Sequence, residues 1–128
     1  MKKKRKKIKK KTTEKKKSNP LANIAKSALV TLPNEKSFNF YRDFNRPAGI
    51  VARNLQEFIS VLKRVDLASI EFHTKRKDFS KWISNTLKDK ALANYLSDMK
   101  NLNGENLRKK IVERVESRYK TLSKAVGH

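Results

Sequence analysis

The residues with the clearest potential for chemistry are the cations between positions 2 and 17. That segment holds twelve Lys or Arg residues against one acid, Glu14, so its net charge is +11, just over half of the +21 of the whole chain. Ammonium groups that meet phosphates release the counterions condensed on a polyanion, and this release favours binding. Because Ile8 is the single sizeable apolar residue after the first position, the segment has nothing with which to build a core. We therefore predict an extended basic tail over residues 1–18 that finds its counter-charge on nucleic acid. The tail residues expected to bind it are Lys2, Lys3, Lys4, Arg5, Lys6, Lys7, Lys9, Lys10, Lys11, Lys15, Lys16 and Lys17.

A second group, His73 with Arg76 and Asp78, has the residue types of acid–base catalysis. An imidazole beside a carboxylate can act as a general base. No Ser or Cys nucleophile motif, no glycine-rich phosphate loop and no HExxH accompanies it in the sequence. We therefore expect His73 to pack or hydrogen-bond within the fold, with Asp78 capping a helix. We predict no catalytic residue and no enzyme activity. With no cysteine and two histidines that lack a partner at ligand spacing, we also expect no metal and no cofactor.

Cations outside the tail form the third candidate group. Residues 18–128 keep 21 basic and 11 acidic residues, a net charge of +10. Arg114 and Arg118 are one helical turn apart, and we expect them to grip successive phosphates. Possible i,i+4 ion pairs, Glu105–Lys109, Lys109–Glu113 and Glu116–Lys120, would neutralise part of the same helix face. The phosphate contacts predicted outside the tail are Lys75, Arg76, Lys77 and Lys81, around a break between two helices, and Arg108, Arg114 and Arg118 on the last helix.

A short amphipathic helix over about residues 20–31 joins the tail to the rest of the chain. Asn19 suits the cap and Pro20 the first helical position, and Leu21, Ile24, Ala28 and Leu32 follow at helical spacing. Such a helix is too short to be stable alone in water. It must dock either on its own domain or on a partner, and the sequence leaves both open.

Two extended segments are predicted between residues 38 and 52. Aromatic residues alternate with Asn39 in the first, and Gly49 marks an unusual backbone conformation in the second. The two segments either pair or lie as an irregular strap over helices. We expect Phe38, Phe40 and Phe44 to belong to the core; the alternative is that these aromatics stack on bases.

Helical periodicity dominates from Asn54 onward. Asp66, Asp78 and Asp89 each precede an apolar-periodic run. Asp66 is expected to restart a helix, and Asp78 and Asp89 are predicted caps. The predicted helices cover about 54–64, 66–74, 78–87, 89–99 and 105–123. The fold class is therefore mainly α: a small bundle of about five short-to-medium helices with one or two short extended segments, preceded by the amphipathic helix and the basic tail. The predicted organisation is a tail over 1–18, a helix and linker over 19–34, and a globular domain over 37–124. No apolar run is long enough to span a membrane.

Several short motifs are spread along the globular part. They are Phe40-Tyr41, Pro47-x-Gly49-Ile50-x-Ala52, Leu55-x-x-Phe58, Ser69-Ile70-Glu71-Phe72-His73, Arg76-x-Asp78-Phe79-x-x-Trp82-Ile83 and Asp89-x-x-Leu92-Ala93. With them, the chain from Phe38 to about Leu122 resembles a small domain of unknown function found mainly in archaea. The resemblance implies an archaeal origin and a compact helical domain, and it implies no activity. The basic extension is similar to those of archaeal ribosomal proteins.

Together these features predict a non-enzymatic, cytoplasmic RNA-binding protein, either an archaeal ribosomal protein or a ribosome-associated factor that contacts rRNA phosphates. Lysine outnumbers arginine eleven to one in the tail, which favours point-charge contact over bidentate recognition of guanine. Neighbouring ribosomal proteins are possible partners of the segment from Leu21 to Leu32. A DNA-binding chromatin or architectural protein is the first alternative. The second is an adaptor that docks through the helix at 20–31 in a partner's groove.

Overall fold

A computed structural model of the protein describes residues 20–99 and 101–127. That part of the chain forms six α-helices and one two-stranded sheet, which confirms the mainly α fold. The elements are α1 (Pro20–Ala28), β1 (Phe38–Asp43), β2 (Arg46–Ala52), α2 (Leu55–Arg64), α3 (Leu67–Arg76), α4 (Asp78–Asn85), α5 (Lys90–Ser97) and α6 (Gly104–Ala125), with a 3-10 turn at Asn34–Lys36. The predicted tail over residues 1–18, with all its candidate cations, lies outside the described residues.

The two predicted extended segments pair as an antiparallel hairpin. Phe38 lies opposite Ala52 and Phe40 opposite Ile50, whereas Tyr41 lies opposite Pro47, so β2 bulges by two residues between these pairs. Gly49 falls within the bulge and has a φ of +74°. Residues other than glycine rarely adopt this conformation, because their Cβ atom clashes with the backbone. The prediction of a special backbone position at this glycine is therefore confirmed.

Aromatic residues of β1 anchor the hairpin to the helices. Phe38 and Phe40 are buried and stack with Phe58 of α2 and Phe79 of α4, with ring centroids 4.8 to 6.1 Å apart. The expectation that Phe44 joins this core is wrong, because its side chain is 72 % exposed. Phe44 occupies the two-residue turn beyond the last strand pair, Asp43–Arg46, so its side chain lies at the tip of the hairpin and outside the core.

The first helix docks on its own domain. Ala25 and Ala28 are buried, and α1 contacts α6. The Ser27 hydroxyl donates to the carbonyl oxygen of Leu87 at 2.8 Å, which fixes the helix beside the end of α4. Of the two alternatives that the sequence left open, packing within the chain is the one observed. An adaptor function through the buried face of this helix would require α1 to detach.

The predicted helix caps divide into two kinds. Asp89 accepts a hydrogen bond from the backbone N–H of Leu92 at 3.2 Å and is a cap, as predicted. Asp66 stands before α3, yet its carboxylate binds Arg42 at 2.7 Å and makes no cap bond. Asp78 is the first residue of α4, because Lys77 adopts the left-handed conformation (φ 63°) and joins α3 directly to α4. The cap prediction for Asp78 is therefore wrong, whereas Asp66 directly precedes α3, as predicted.

The last helix is the central support of the fold. It runs over 22 residues and packs against α1, α2, α3 and α5. Its buried residues, Leu107, Ile111, Val115 and Leu122, repeat at helical spacing and form one apolar stripe. Across residues 20–99 and 101–127, none of the helices combines the length and apolar character needed to cross a bilayer.

Candidate nucleic-acid interface

The predicted basic cluster at the break between helices forms the corner between α3 and α4. Lys75 and Lys81 are exposed, and neither makes an ion pair with any residue in the described part of the chain. The Lys77 ammonium donates to the carbonyl oxygen of Ser97 at 3.2 Å, at the carboxyl end of α5, where the helix dipole favours a cation. Arg76 differs from these lysines because its Nε donates to Asp78 at 3.1 Å. The corner thus presents lysine charge next to an arginine that is already paired.

A groove between α5 and α6 holds the next predicted contact, Arg114. Its guanidinium carbon lies 4.1 Å from the ring centroid of Tyr95, a cation–π contact, and Tyr95 is 52 % exposed. The groove has a volume of about 220 Å³ and is also lined by Ser117 and Thr121. A guanidinium stacked on a ring keeps its N–H donors at its edge, where they can bind phosphate oxygens. Arg114 is therefore held in place by stacking, and it makes no ion pair within the described part of the chain.

Arg118, also predicted to grip phosphate, points to a different partner. Its Nε and Nη2 donate to the two carboxylate oxygens of Asp89 at 2.8 and 3.0 Å, and Asp89 is fully buried. A buried carboxylate needs such a partner, because an uncompensated charge in the interior is costly. The two arginines therefore have different partners: Arg114 stacks on Tyr95, whereas Arg118 pairs with Asp89. A phosphate contact by Arg118 stays a prediction, with its best donors already occupied.

The remaining predicted contact on α6, Arg108, is also largely engaged. Its Nη1 donates to the carbonyl oxygen of Leu62 at 2.8 Å and its Nε to Glu105 at 2.9 Å, and the side chain is only 14 % exposed. The ion pairs predicted along α6 are replaced by others. Glu105 pairs with Arg108, and Glu116 pairs with Lys63 of α2 at 2.7 Å. Helix packing brings Lys63 closer to Glu116 than the flexible lysine one turn away, which sequence spacing alone did not reveal.

In the described residues, most arginines have an acidic partner and most lysines do not. Six arginines have a carboxylate partner: Arg42, Arg46, Arg53, Arg76, Arg108 and Arg118. Within residues 20–99 and 101–127, Lys63 alone among the lysines has one. The lysines that are exposed and lack an acidic partner there are Lys26, Lys36, Lys75, Lys77, Lys81, Lys88, Lys90, Lys109, Lys110, Lys120 and Lys124. The positive charge available to a ligand is therefore mainly lysine charge.

We call the surface on both sides of α5 the α5 face and define it by Lys77, Lys81, Lys90 and Arg114. Lys81 lines the groove between α4 and α5 together with Asn94 and Ser97, and Arg114 lines the groove on the other side of α5. Lys90 begins α5 between them, and Lys77 reaches its carboxyl end. Four cations thus flank α5. Such a spread of positive charge suits a polyanion better than a small acidic molecule.

His73 lies on the other side of the α3–α4 corner and is 3 % exposed. Its Nε2 accepts a hydrogen bond from the backbone N–H of Tyr41 at 2.8 Å, and its Nδ1 lies 2.9 Å from a carboxylate oxygen of Asp78. The neutral imidazole protonated on Nδ1 satisfies both contacts. Burial lowers the pKa of His73, although the nearby Asp78 acts in the opposite direction. Because the fold occupies both ring nitrogens, His73 has no free lone pair with which to abstract a proton. The absence of enzyme activity stays a prediction.

An open cleft of about 530 Å³ lies beside His73, and we call it the hairpin cleft. It is lined by Ser37, Phe38, Asn39, Tyr41, Phe44, Phe72, His73, Arg76, Asp78 and Trp82. Sequence reasoning missed this cleft, because it assigned Phe44 to the core and Asp78 to a cap. In the described residues no group of three or more His, Asp or Glu side chains is placed to hold a metal ion.

Comparison with known proteins gives one match. Residues 35–126 match the model of a family described as "Family of unknown function (DUF5752)". The matched range contains the whole hairpin and helices α2 to α6, and it agrees with the resemblance to a domain of unknown function that the motifs indicated. Neither the comparison with curated proteins nor that with solved structures found a match.

Proposed function

The chain belongs to the DUF5752 family of unknown function, and from that premise and its distribution of charge we propose that it is a non-enzymatic RNA-binding protein. The observation that carries the proposal is the set of exposed lysines that lack acidic partners in the described residues, three of which lie on the α5 face. The sequence adds twelve further cations at residues 2–17. Phosphate is the anion that such a surface can meet at high density. Counterion release then supplies most of the binding free energy.

In this proposal the domain contributes a rigid, low-specificity contact. Lysine is a flexible point charge, so Lys75, Lys81 and Lys90 would follow phosphates without demanding a base sequence. The tail would extend the same contact along the RNA. Arg114, stacked on Tyr95, adds a guanidinium that has no carboxylate partner among the described residues.

RNA is favoured over DNA by two exposed aromatic rings. Tyr95 adjoins Arg114, and Phe44 stands at the tip of the hairpin. RNA commonly displays unpaired bases, which stack on aromatic side chains, whereas duplex DNA keeps its bases stacked inside. We further propose that the RNA is ribosomal, that the protein is a ribosomal protein or ribosome-associated factor of archaeal type, and that it works in the cytoplasm.

Sedimentation tests the ribosomal part of this proposal. Full-length protein in lysate of its source cells is expected to migrate with ribosomal particles through a sucrose gradient at low salt. Rising salt should strip it from them, because screening weakens a contact built on charge. If the protein stays at the top of the gradient at every salt concentration, the ribosomal proposal is wrong.

Competition tests RNA against DNA, and a pair of variants tests the surface. Excess rRNA should displace a labelled RNA at lower concentration than excess duplex DNA at the same salt. The double substitution Lys81→Gln with Lys90→Gln should weaken RNA binding more than the equally charged control, Lys26→Gln with Lys36→Gln, which lies outside the α5 face. Equal weakening by both pairs would show that total charge, not the α5 face, determines binding.

A further inference from the structure

The hairpin cleft has features that the charge-based function does not use. Its volume of about 530 Å³ falls within the roughly 300–1,000 Å³ of ordinary ligand sites. One wall is the turn residue Phe44, and Phe72 and Tyr41 contribute further aromatic surface. Single exposed apolar side chains are common on proteins. Phe44 is unusual because it is both highly exposed and turned toward a cleft with other rings.

Polar groups in the cleft are arranged beside these rings. The Arg76 guanidinium lies 5.1 Å from the centroid of Phe72 and lines the cleft. Asn39 is exposed on β1 and also lines the cleft, and its side-chain amide has no hydrogen-bond partner among the described residues. An amide presents both donors and an acceptor, as does the edge of a nucleobase. The neighbouring lysines at positions 75 and 77 add positive charge at the same corner.

We propose that the hairpin cleft accepts one unpaired nucleobase of the bound RNA. The base stacks on Phe44, its edge hydrogen-bonds with the amide of Asn39, and Lys75, which has no acidic partner in the described residues, meets the adjoining phosphate. This inference rests on the proposed RNA-binding function and assigns a second, chemically distinct site to it. The α5 face contacts backbone charge, whereas the cleft contacts a base.

Stacking determines which bases and which RNA structures the cleft can distinguish. Every base has a π face, so a ring such as Phe44 tolerates all four bases but requires that the base be unpaired. The cleft therefore predicts a preference for single-stranded regions, loops or bulges over continuous duplex. Phosphate contacts alone predict no need for a base.

The test uses the full-length protein and three RNAs with equal numbers of phosphates: a short single strand, the same strand with abasic nucleotides, and a duplex. Fluorescence anisotropy should show that the intact single strand binds about tenfold more tightly than the abasic strand, the effect of one stacked base. Phe44→Ala should abolish that difference and leave the salt dependence unchanged. The control Leu102→Ala removes an exposed apolar side chain outside the cleft and should change neither property.

Trp82 provides a second measurement, because it is the single tryptophan and lines the cleft. Intact single strand should quench its fluorescence in the wild-type protein, and the abasic strand should not. Salt-dependent binding that is equal for intact and abasic strands, with no quenching difference, overturns the base site while the RNA-binding proposal stands. Failure of all three RNAs to bind overturns both.

Discussion

The hairpin side of the molecule and the α5 face have similar numbers of cations but present different charge. On the hairpin side Arg42, Arg46, Arg53 and Arg76 each have a carboxylate within 3.1 Å. On the α5 face the four cations have no acidic partner among the described residues, whereas Arg118, which lines the same groove as Arg114, pairs with the buried Asp89. The comparison shows that net charge read from a sequence differs from the charge a surface offers to a ligand.

The chemistry of the two side chains explains the difference. The planar guanidinium of arginine forms directed, often bidentate hydrogen bonds with carboxylates, whereas the ammonium of lysine is strongly hydrated on a flexible stem. The hairpin pairs are exposed and therefore add little stability. Their main effect is to cancel charge locally: Arg53, for example, holds the pKa of Glu57 below its usual value through hydrogen bonds. The hairpin side is thus left to aromatic contact, and the α5 face to phosphate contact.

The largest effect is expected from Arg118→Ala, which removes the paired arginine beside the α5 face. Removing this side chain leaves Asp89 buried without its partner, and the free energy of unfolding should fall by about 3–5 kcal/mol. Urea denaturation measures the loss. Adding Asp89→Asn should recover part of it, because the unpaired charge is removed. A loss below about 1 kcal/mol for Arg118→Ala would show that the pair is not a structural requirement.

The next largest effect is expected from acidification, which should lower the stability of the fold through His73, beside the hairpin. Burial lowers the pKa of His73 below its ordinary 6.5, so between these two values the unfolded chain binds more protons than the folded protein. The contribution of His73 is therefore complete above pH 6.5, and stability should fall by up to about 1.4 kcal/mol per pH unit below that value, down to the folded pKa. Urea midpoints at pH 7.5 and 5.5 measure this. His73→Gln should lose less stability on acidification, and an equal loss would remove His73 as the cause.

A smaller change in stability is expected from Arg114→Ala, which tests the role of the α5 face in RNA binding. This guanidinium stacks on an exposed ring and makes no ion pair in residues 20–99 or 101–127, so the stability loss should stay below about 1 kcal/mol. RNA affinity should fall, and the salt slope should become shallower by about 0.7 on a single strand, as for one lost phosphate contact. An unchanged slope would exclude Arg114 from the phosphate contact. The contrast with Arg118→Ala separates binding from folding at two arginines one turn apart.

The smallest effect is expected from Asp66→Asn, which removes the acid that cancels Arg42. The pair is exposed, so the change in unfolding free energy should be within about 1 kcal/mol. The freed guanidinium should raise RNA affinity slightly and make the salt slope steeper. A lower affinity would mean that the pair supports binding through the hairpin's shape rather than opposing it through its charge.

Most of the fold could be predicted from the sequence because the signals are local. Apolar spacing and the start signals at Pro20 and Asn54 located all six helices to within a few residues, and the alternation around Asn39 located β1. The errors concern contacts between elements. Nothing near Asp78 in the sequence showed that a left-handed Lys77 would join two helices, and nothing near Arg118 showed that Asp89, on another helix, would be buried beside it.

The candidate site was less predictable for the same reason. Composition indicated a phosphate-binding surface, but it could not show which cations carry partners, since pairs such as Lys63–Glu116 form only through helix packing. Phe44 was assigned to the core because of its residue type, and only the position of the hairpin turn shows its exposure. The cleft beside it depends on three elements and has no contiguous signature.

The most direct test of the central claim is the salt dependence of RNA binding by the full-length protein, measured beside a variant that lacks residues 1–17. A surface that neutralises about six phosphates predicts a slope of log affinity against log salt near −5 on duplex RNA, or near −4 on a single strand, and a clearly shallower slope without the tail. Binding that does not change with salt, or no binding to RNA near physiological ionic strength, would contradict the claim that this protein's unpaired lysines meet phosphate.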